Sequence, residues 1–399
     1  MRLLPTIMKP TVWIPLKFLS APAVAHPAAQ TMGQTVKIMG EKIVIGMSGG
    51  VDSSVAAALL KEQGYEVIGV TMRLWDGESV NGVFRDGTCC SLSAVEDARR
   101  VAYTLGIDYH VLDFRREFEQ YVIDYFVSEY QNGRTPNPCI ACNRFLKFDF
   151  MLQKAKLLGA ELVATGHYAK VKYDEERGRY LLLRSHASLK DQTYALYSLT
   201  QEQLSAIRMP LGEFSGKDQV REMAQKLNLP TAAKPDSQEI CFVPDNDYVS
   251  FIERRTGIKS VPGDFVDADG NVLGEHKGIV NYTIGQRKGL GIAFGKPMFV
   301  TGINAETNQV VLGEKGSEFS SALTADALNF IAFDKFDEPF RALAKVRYSA
   351  KPAQCLVKPI NGGRAEVAFD SPQRAVTPGQ AVVFYEENSD VVIGGGTIL

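Results

Sequence analysis

A hydrophobic run followed at once by a glycine- and serine-rich turn decides the fold: Lys42–Ser54 reads KIVIGMSGGVDSS. The apolar run Lys42–Met47 predicts a buried strand, and the residues after the turn predict a helix over Ser53–Gln63 that ends at Gly64. A turn of this composition between a strand and a helix points backbone N–H groups at an anion, and its serines add hydroxyl donors. The stretch therefore predicts an α/β fold with a phosphate-binding turn.

Strand and helix patterns continue to alternate downstream, interrupted by a polar insertion that reaches about Ser91. Strands are predicted over Glu66–Met72, Asp108–Leu112 and Glu161–Thr165, and helices over Ala94–Leu105, Glu117–Gln131 and Arg144–Leu158. Such alternation is typical of a doubly wound parallel sheet with helices on both faces.

The pattern then changes twice along the chain. From Lys217 to about Thr256 it is helical, with one strand-like run at Glu239–Val243. Beyond Gly263, short alternating runs between Gly, Asn and Pro turns predict an all-β barrel or sandwich. The runs are Lys296–Gly302, Gln309–Leu312, Leu343–Tyr348, Gln354–Val357, Ala365–Phe369 and Ala381–Tyr385.

Composition excludes several classes of protein. With 45% hydrophobic and 23% charged residues, the 399-residue chain is ordinary for a globular protein. The 44 Lys and Arg against 46 Asp and Glu argue against a nucleic-acid binder that is basic all over, but not against a basic patch. Six cysteines are too few for a disulfide scaffold and fit a reducing compartment.

The first forty residues differ from the rest of the chain. They contain no Asp or Glu, and five prolines prevent a single helix, while lysine and proline interrupt any apolar stretch long enough to span a membrane. We expect residues 1–40 to be a leader or disordered extension. The protein is expected in the cytoplasm, or in the mitochondrion if this segment is a transit peptide.

The phosphate turn is of a particular type. It lacks the lysine of a Walker A loop and does not match the dinucleotide fingerprint. Without that lysine, it suits binding of a pyrophosphate leaving group better than transfer of the terminal phosphate. Ser48–Ser54, SGGVDSS, resembles the PP-loop of the ATP pyrophosphatases, which activate a carbonyl or amide oxygen by adenylation.

A Cys-x-x-Cys pair lies at the predicted start of a helix. Asn137 can cap this helix and Pro138 fits its first position, so the helix dipole favours the thiolates of Cys139 and Cys142. A zinc site would need a second pair, which the sequence lacks, and the pair does not follow a strand as in thioredoxin-like redox units. A reactive thiol at a nucleotide site is the third interpretation.

Seven further strings follow the PP-loop in a fixed order: GRTPNPCIACNRFLKF, ATGHYAK, KDQTYALYSL, DSQEICFVP, NYTIGQRKGLGI, KVRYSA and VTPGQAVVFY. Together they resemble the tRNA-specific 2-thiouridylase family from about Lys42 to about Thr397. The resemblance implies a PP-loop ATP-binding catalytic domain at residues 41–212, a small central helical domain at 213–276 and a C-terminal β-barrel at 277–399.

The resemblance also implies an activity. A family member places sulfur on C2 of the wobble uridine of tRNA through an adenylated C2 oxygen and a cysteine persulfide, giving 2-thiouridine, AMP and pyrophosphate. ATP and Mg²⁺ are the expected cofactors. The expected partners are tRNA and a persulfide donor, either a cysteine desulfurase or a sulfur-relay protein, and no membrane.

The family's functional residues map onto matching positions of this chain. Cys142 would be the catalytic thiol, and Cys241 would carry the persulfide sulfur. The ATP-binding residues would be Gly46, Met47, Ser48, Gly49, Gly50, Val51, Asp52 and Ser53, with Met72 and Gly166 at the adenine. The target base would lie against Asn137, Pro138 and Cys139, and tRNA would contact His167, Lys190, Asp191, Gln192, Arg347, Tyr348 and Gln380. No protein ligand to a metal ion is assigned.

Cys139 is a departure, because some members of the family carry Asp at this place. A thiol here puts a carboxylate general base in doubt. It also gives a second interpretation in which Cys139, Cys142 and Cys241 ligate an iron–sulfur cluster. We expect Cys89, Cys90 and Cys355 to take no part in the chemistry.

A basic segment in the predicted barrel fits an RNA ligand. Arg341–Gln380 contains seven Arg or Lys and two Glu or Asp, a balance of +5. Two other classes remain open: a PP-loop amide ligase that makes a small molecule, and a non-catalytic nucleotide-binding or iron–sulfur assembly module. ATP–pyrophosphate exchange that depends on tRNA would separate a tRNA 2-thiouridylase from both of these classes.

Overall fold

The computed structural model describes residues 40–75, 92–235, 240–243, 245–293 and 295–399. The predicted leader, apart from Gly40, lies outside the described residues. So does most of the predicted insertion, including Cys89 and Cys90.

A five-stranded parallel sheet forms the N-terminal domain, in the order β3-β2-β1-β4-β7. The strands of this part of the chain are β1 (Lys42–Gly46), β2 (Glu66–Arg73), β3 (Asp108–Asp113), β4 (Leu162–Ala164), β5 (Ala169–Asp174), β6 (Arg179–Arg184) and β7 (Ile207–Arg208). All four pairings in the large sheet are parallel, and β5 and β6 form a separate antiparallel hairpin. The predicted parallel α/β architecture is confirmed.

Helices cover both faces of this sheet. They are α1 (Val51–Glu62), α2 (Leu92–Leu105), α3 (Arg115–Phe118, Glu119–Ile123 and Asp124–Gln131), α4 (Pro138–Ala141, Cys142–Phe150 and Met151–Leu157), α5 (Gln201–Ala206), α6 (Lys217–Lys226) and α7 (Tyr248–Thr256). Side chains of β1 alternate between two cores: Ile43 and Ile45 pack with α1 and α2, whereas Val44 packs with Met151 and Leu152 of α4. Burial on both faces explains why β1 is almost wholly apolar.

A domain boundary was expected at 212/213, shortly after β7. Helix α6 buries Val220 and Ala224 in the same core as α1, so this helix is packed on the N-terminal domain. The strand predicted at Glu239–Val243 is wrong for the residues described there. Ile240–Val243 form a turn, in which the Val243 amide donates to the Ile240 carbonyl at 2.9 Å. The apolar run exists because Phe242 and Val243 are buried in an aromatic cluster.

A four-stranded sheet in the order β10-β11-β8-β9 follows α7. Its strands are β8 (Gly263–Val266), β9 (Val272–His276), β10 (Met298–Asn304) and β11 (Gln309–Glu314). Because β8 pairs with β11 in parallel, the expected boundary at 276/277 falls between paired strands of one sheet. The central part of the chain is therefore helical only up to α7.

The C-terminal part is a closed six-stranded barrel in the order β12-β15-β14-β13-β16-β17, which confirms the predicted barrel. Its strands are β12 (Phe319–Phe330), β13 (Phe340–Lys345), β14 (Ala353–Ile360), β15 (Arg364–Arg374), β16 (Ala381–Tyr385) and β17 (Val392–Ile398). Small and branched side chains such as Ala342, Val357 and Val367 fill its interior. Within the described part of the chain, no helix is long and apolar enough to cross a membrane.

Candidate active site

The turn between β1 and α1 has the geometry of an anion site. Gly49 has a φ of +68°, and a Cβ there would lie 2.2 Å from the Ala94 carbonyl oxygen, so this position requires glycine. The Ser48 amide donates to Ser53 Oγ at 3.2 Å, and the two serine hydroxyls lie 3.4 Å apart. The turn thus places two hydroxyls at the N-terminus of the twelve-residue helix α1.

A cavity of about 480 Å³ opens at this turn. Of the predicted ATP-binding residues, it is lined by Gly46, Met47, Ser48, Gly50, Val51, Asp52, Ser53, Met72 and Gly166. Only Gly49 does not line the cavity, because it is packed against the backbone of α2. A Cβ at Gly166 would lie 2.7 Å from the Ser53 amide nitrogen, so glycine lets β4's end approach α1 closely.

Four lysines also line the cavity. Lys147, Lys190, Lys217 and Lys234 all line it, and only Lys190 was assigned a role from the sequence. Lys217 lies 2.6 Å from Asp52, and Lys234 lies 2.6 Å from Asp97. Four cations around a glycine-rich turn fit a triphosphate. Lys217 could not be found from the sequence because it is 165 positions from its partner.

Asp52 accepts two hydrogen bonds at the cavity wall. Its Oδ1 accepts from the Tyr168 hydroxyl at 2.7 Å, and its Oδ2 accepts from Lys217. No group of three or more His, Cys, Asp or Glu side chains placed to hold a metal ion occurs among the residues that the structure describes. Among the described residues that line the cavity, Asp52 is the one carboxylate, and it lies beside the hydroxyls of Ser48 and Ser53.

His167 lines the same cavity as a buried, neutral side chain. Its exposed fraction is 7%, and its Nδ1 lies 2.7 Å from Thr165 Oγ1. Burial lowers the pKa of His167 well below its ordinary value, and the charge of Lys147 lowers it further. The imidazole is consequently uncharged at neutral pH.

The loop Lys190–Gln192 is held by its own side chains. Asp191 accepts hydrogen bonds from the Ser185 amide and the Thr193 hydroxyl, and burial raises its pKa. Gln192 Oε1 accepts from the Tyr168 amide at 2.9 Å. Lys190 and Gln192 line the cavity, whereas Asp191 does not.

The barrel reaches this cavity through one of the predicted tRNA-contacting residues. Tyr348 lines the cavity, is 47% exposed, and meets the Tyr194 ring edge-on at 6.2 Å. The Lys345 ammonium lies 5.5 Å from the Tyr348 ring centre. Arg347 and Gln380 do not line the cavity; Arg347 donates to the Arg374 carbonyl at 2.8 Å.

Two arginines of the basic segment Arg341–Gln380 lie next to acidic side chains. Arg341 pairs with Asp370, and Arg374 lies 3.7 Å from Glu318. Asp370 is already included in the balance of +5, whereas Glu318 lies outside Arg341–Gln380 and reduces the local balance by one charge.

The Cys-x-x-Cys pair lies at a helix start, as predicted. Asn137 Oδ1 caps α4 by accepting from the Cys139 amide at 3.1 Å, and Pro138 is the first helical residue. Cys139 is exposed and Cys142 is buried. The helix start thus presents one thiol to solvent and one to the core.

Cys142 and Cys241 belong to one apolar cluster, with Cys142 inside it and Cys241 packed against it. Leu74 lies in this cluster, Met72 packs against it, and both also line the cavity at the β1–α1 turn. Cys355 is instead buried in the barrel, where burial raises the pKa of its thiol to about 12. The apolar cluster to which the two predicted catalytic thiols belong therefore extends to the wall of the cavity at the β1–α1 turn.

Comparisons with known proteins agree along the whole described chain. The tRNA methyl transferase HUP domain matches residues 41–245, its PRC-barrel domain matches 249–314, and the aminomethyltransferase beta-barrel domain matches 320–398. The tRNA-specific 2-thiouridylase MnmA of Acetivibrio thermocellus is 59% identical over 90% of this chain and 99% of its own length. The MnmA of Clostridium perfringens is 58% identical over 90% of this chain and 98% of its own.

Similarity to solved structures is weaker. A 4-thiouridine synthetase–RNA complex with bound ATP covers 54% of this chain and 50% of its own, with a TM-score of 0.30 and 20% identity.

The parallel fold and its glycine- and serine-rich turn define an ATP-using enzyme of the PP-loop class. Identity of 55–59% over nearly the full length of several relatives then narrows the class. The chain belongs to the tRNA-specific 2-thiouridylase family, whose members are tRNA-uridine 2-sulfurtransferases.

Proposed function

We propose that the protein catalyses ATP-dependent 2-thiolation of the wobble uridine of tRNA. The observation that carries the proposal is the wall shared by the nucleotide cavity and the thiol cluster, formed by Met72 and Leu74. A base activated in the cavity would lie next to the thiols that deliver sulfur.

The first half-reaction is adenylation. The C2 oxygen of uridine attacks the α-phosphate of ATP, forming a C2–O–P bond, and pyrophosphate leaves. The turn at Ser48–Ser53 binds the phosphates, and the cavity lysines, Lys217 among them, balance the charge that develops on the leaving group. Mg²⁺, when bound at Asp52, would share this charge.

The second half-reaction transfers sulfur. The persulfide on Cys241 attacks C2 and expels AMP, so that C2 is joined to Cys241 through two sulfur atoms. The Cys142 thiolate then attacks the inner sulfur, forming a Cys142–Cys241 disulfide and leaving the outer sulfur on C2. Alternatively, Cys142 attacks first and releases hydrosulfide, which attacks C2. In both routes a cellular thiol reduces the disulfide, and a desulfurase or sulfur-relay protein reloads Cys241.

Iron–sulfur chemistry enters neither route. Among the described residues, Cys139, Cys142 and Cys241 do not form a group placed to hold a metal ion. Cys139, which is exposed beside the Asn137 cap, lies against the target base in our proposal.

We also predict that this reaction takes place in the cytoplasm.

ATP–pyrophosphate exchange tests the adenylation step. We expect exchange that requires tRNA and is insensitive to small carboxylic acids and ammonia. Exchange driven by a small acid without tRNA would favour an amide ligase, and no exchange under any condition would favour a non-catalytic module.

A further inference from the structure

The loop before α4 is hydrogen-bonded to a turn of the C-terminal barrel. Gln380 Nε2 donates to the Thr135 carbonyl at 2.9 Å and to the Pro136 carbonyl at 3.3 Å. The Thr135 amide donates in return to the Pro378 carbonyl at 2.8 Å. The Gln380 side-chain NH₂ group is therefore directed at the loop, although the family resemblance implies a tRNA contact for this residue.

The barrel turn is shaped to receive this loop. Gly379 has a φ of +89°, and a Cβ there would lie 3.0 Å from the Thr135 nitrogen and 3.1 Å from Arg134 Cβ. Gln380 itself is fixed in the barrel, since the Ile398 amide donates to its carbonyl at 2.8 Å. The Gln380 side chain thus projects from backbone that is held in the barrel.

Two other parts of the chain hold the same loop from different sides. Arg134 Nε donates to Glu129 Oε2 at 2.8 Å, and the Arg134 amide donates to the Glu129 carbonyl at 2.9 Å. A Cβ at Gly133 would lie 2.8 Å from Ile303 Cγ2 of β10. The loop is clamped between α3, the four-stranded sheet and the barrel.

The hydrogen-bonded part of the loop ends at Pro136, one residue before the cap of α4. Pro136 is followed directly by Asn137, whose side chain caps α4, and α4 carries Cys139 and Cys142. A displacement at Thr135–Pro136 therefore moves the start of the thiol helix. A misplacement of about 1 Å can cost on the order of 100-fold in rate when reacting groups must meet.

We propose that Gln380 is a positioning residue that fixes the start of the thiol helix from the barrel and so sets the place of Cys142. The expected effect on the rate of sulfur transfer rests on the proposed function, whereas the expected effect on the position of α4 does not. Gln380 acts through the loop in this account, and the affinity for tRNA does not depend on its amide.

Hydrogen exchange of the protein without tRNA or ATP tests the positioning directly. We compare Gln380→Ala and Gln380→Glu with Gln373→Ala, a control on the same barrel whose amide donates only to the Ser371 carbonyl among its described side-chain contacts. Amides of residues 134–146 should exchange faster in both Gln380 variants and at the wild-type rate in the control. Unchanged protection in both variants overturns the proposal, whatever happens to activity.

A kinetic comparison separates positioning from RNA contact. At saturating tRNA, Gln380→Ala should lower kcat roughly 10- to 100-fold, while its Kd for tRNA stays within about threefold of wild type. A raised Kd with normal kcat would show an RNA contact and contradict the proposal. If the wild-type protein itself forms no 2-thiouridine, the proposed function fails, and the exchange experiment still decides the role of Gln380.

Discussion

Lys217 Nζ lies 2.6 Å from Asp52 Oδ2, which joins the first residue of α6 to the phosphate turn at the start of α1. The Tyr168 hydroxyl holds the other oxygen of the same carboxylate at 2.7 Å. Lys217 and Tyr168 both line the cavity at this turn, and the Lys217 side chain is only 12% exposed. A cation held at this place can turn from the carboxylate to a bound phosphate.

Replacement of Lys217 should impair the use of ATP. We expect Lys217→Gln to lower tRNA-dependent pyrophosphate release on the order of 100-fold, because a charge that stabilises the leaving group is lost. Lys226→Ala, at the exposed end of the same helix, should have little effect. Near-normal pyrophosphate release by Lys217→Gln would exclude the lysine from the reaction.

Gly166 should not tolerate a side chain. A Cβ there meets the Ser53 nitrogen at 2.7 Å and the Asp52 carbonyl carbon at 2.8 Å, and backbone cannot rotate away. Gly166→Ala should therefore lower the free energy of unfolding by about 1–3 kcal/mol and reduce ATP use. Urea titration measures the first effect. The matched control is Gly216→Ala, where the space is open and the backbone is extended; equal effects of both variants would refute the packing argument.

Cys142 and Cys241 should be indispensable, and Cys355 should not. Cys142→Ser and Cys241→Ser should each abolish thiolation, since both thiols take part in sulfur transfer in the proposed mechanism. Cys355→Ala should keep it, because this thiol is buried in the barrel with a raised pKa. The measurement is thiolated uridine per mole of tRNA. Substantial product from either serine variant would contradict the persulfide route.

Cys139→Asp should retain substantial activity, because a carboxylate at this exposed helix start can still hydrogen-bond near the base. Iron content and the absorption spectrum of anaerobically purified protein accompany the assay. An inactive variant, together with stoichiometric iron in the wild type, would instead favour a cluster on the three thiols.

Stability should fall in acid because of His167. Its pKa is lowered in the folded protein, so below about pH 6.5 the unfolded chain binds a proton that the folded chain does not. Stability from this residue is complete above that pH and is lost as the pH falls below it. In urea titrations at about pH 7.5 and about pH 5.5, His167→Gln should lose less stability than wild type. Exposed His110→Gln is the control, and identical pH dependence in all three proteins would refute the assignment.

Local sequence predicted those parts of the molecule whose determinants are local. β1, the PP-loop turn and the Asn137 cap depend on neighbouring residues, and the structure shows each of them. Contacts between residues that are far apart in the sequence leave no local pattern. Gln380, for example, donates to the carbonyl of Thr135, which is 245 positions away. The run at Ile240–Val243 misled because burial in an aromatic cluster selects apolar residues in a turn as well as in a strand.

The central claim is that this chain places sulfur on tRNA uridine, and mass spectrometry of tRNA nucleosides tests it most directly. Unmodified tRNA is incubated with the protein, ATP, Mg²⁺ and a persulfide source, and is then digested to nucleosides. We predict 2-thiouridine at the wobble position, formed only when ATP is present and absent with Cys241→Ser. Unchanged uridine from wild-type protein that releases pyrophosphate, or a methylated uridine in its place, would contradict the account.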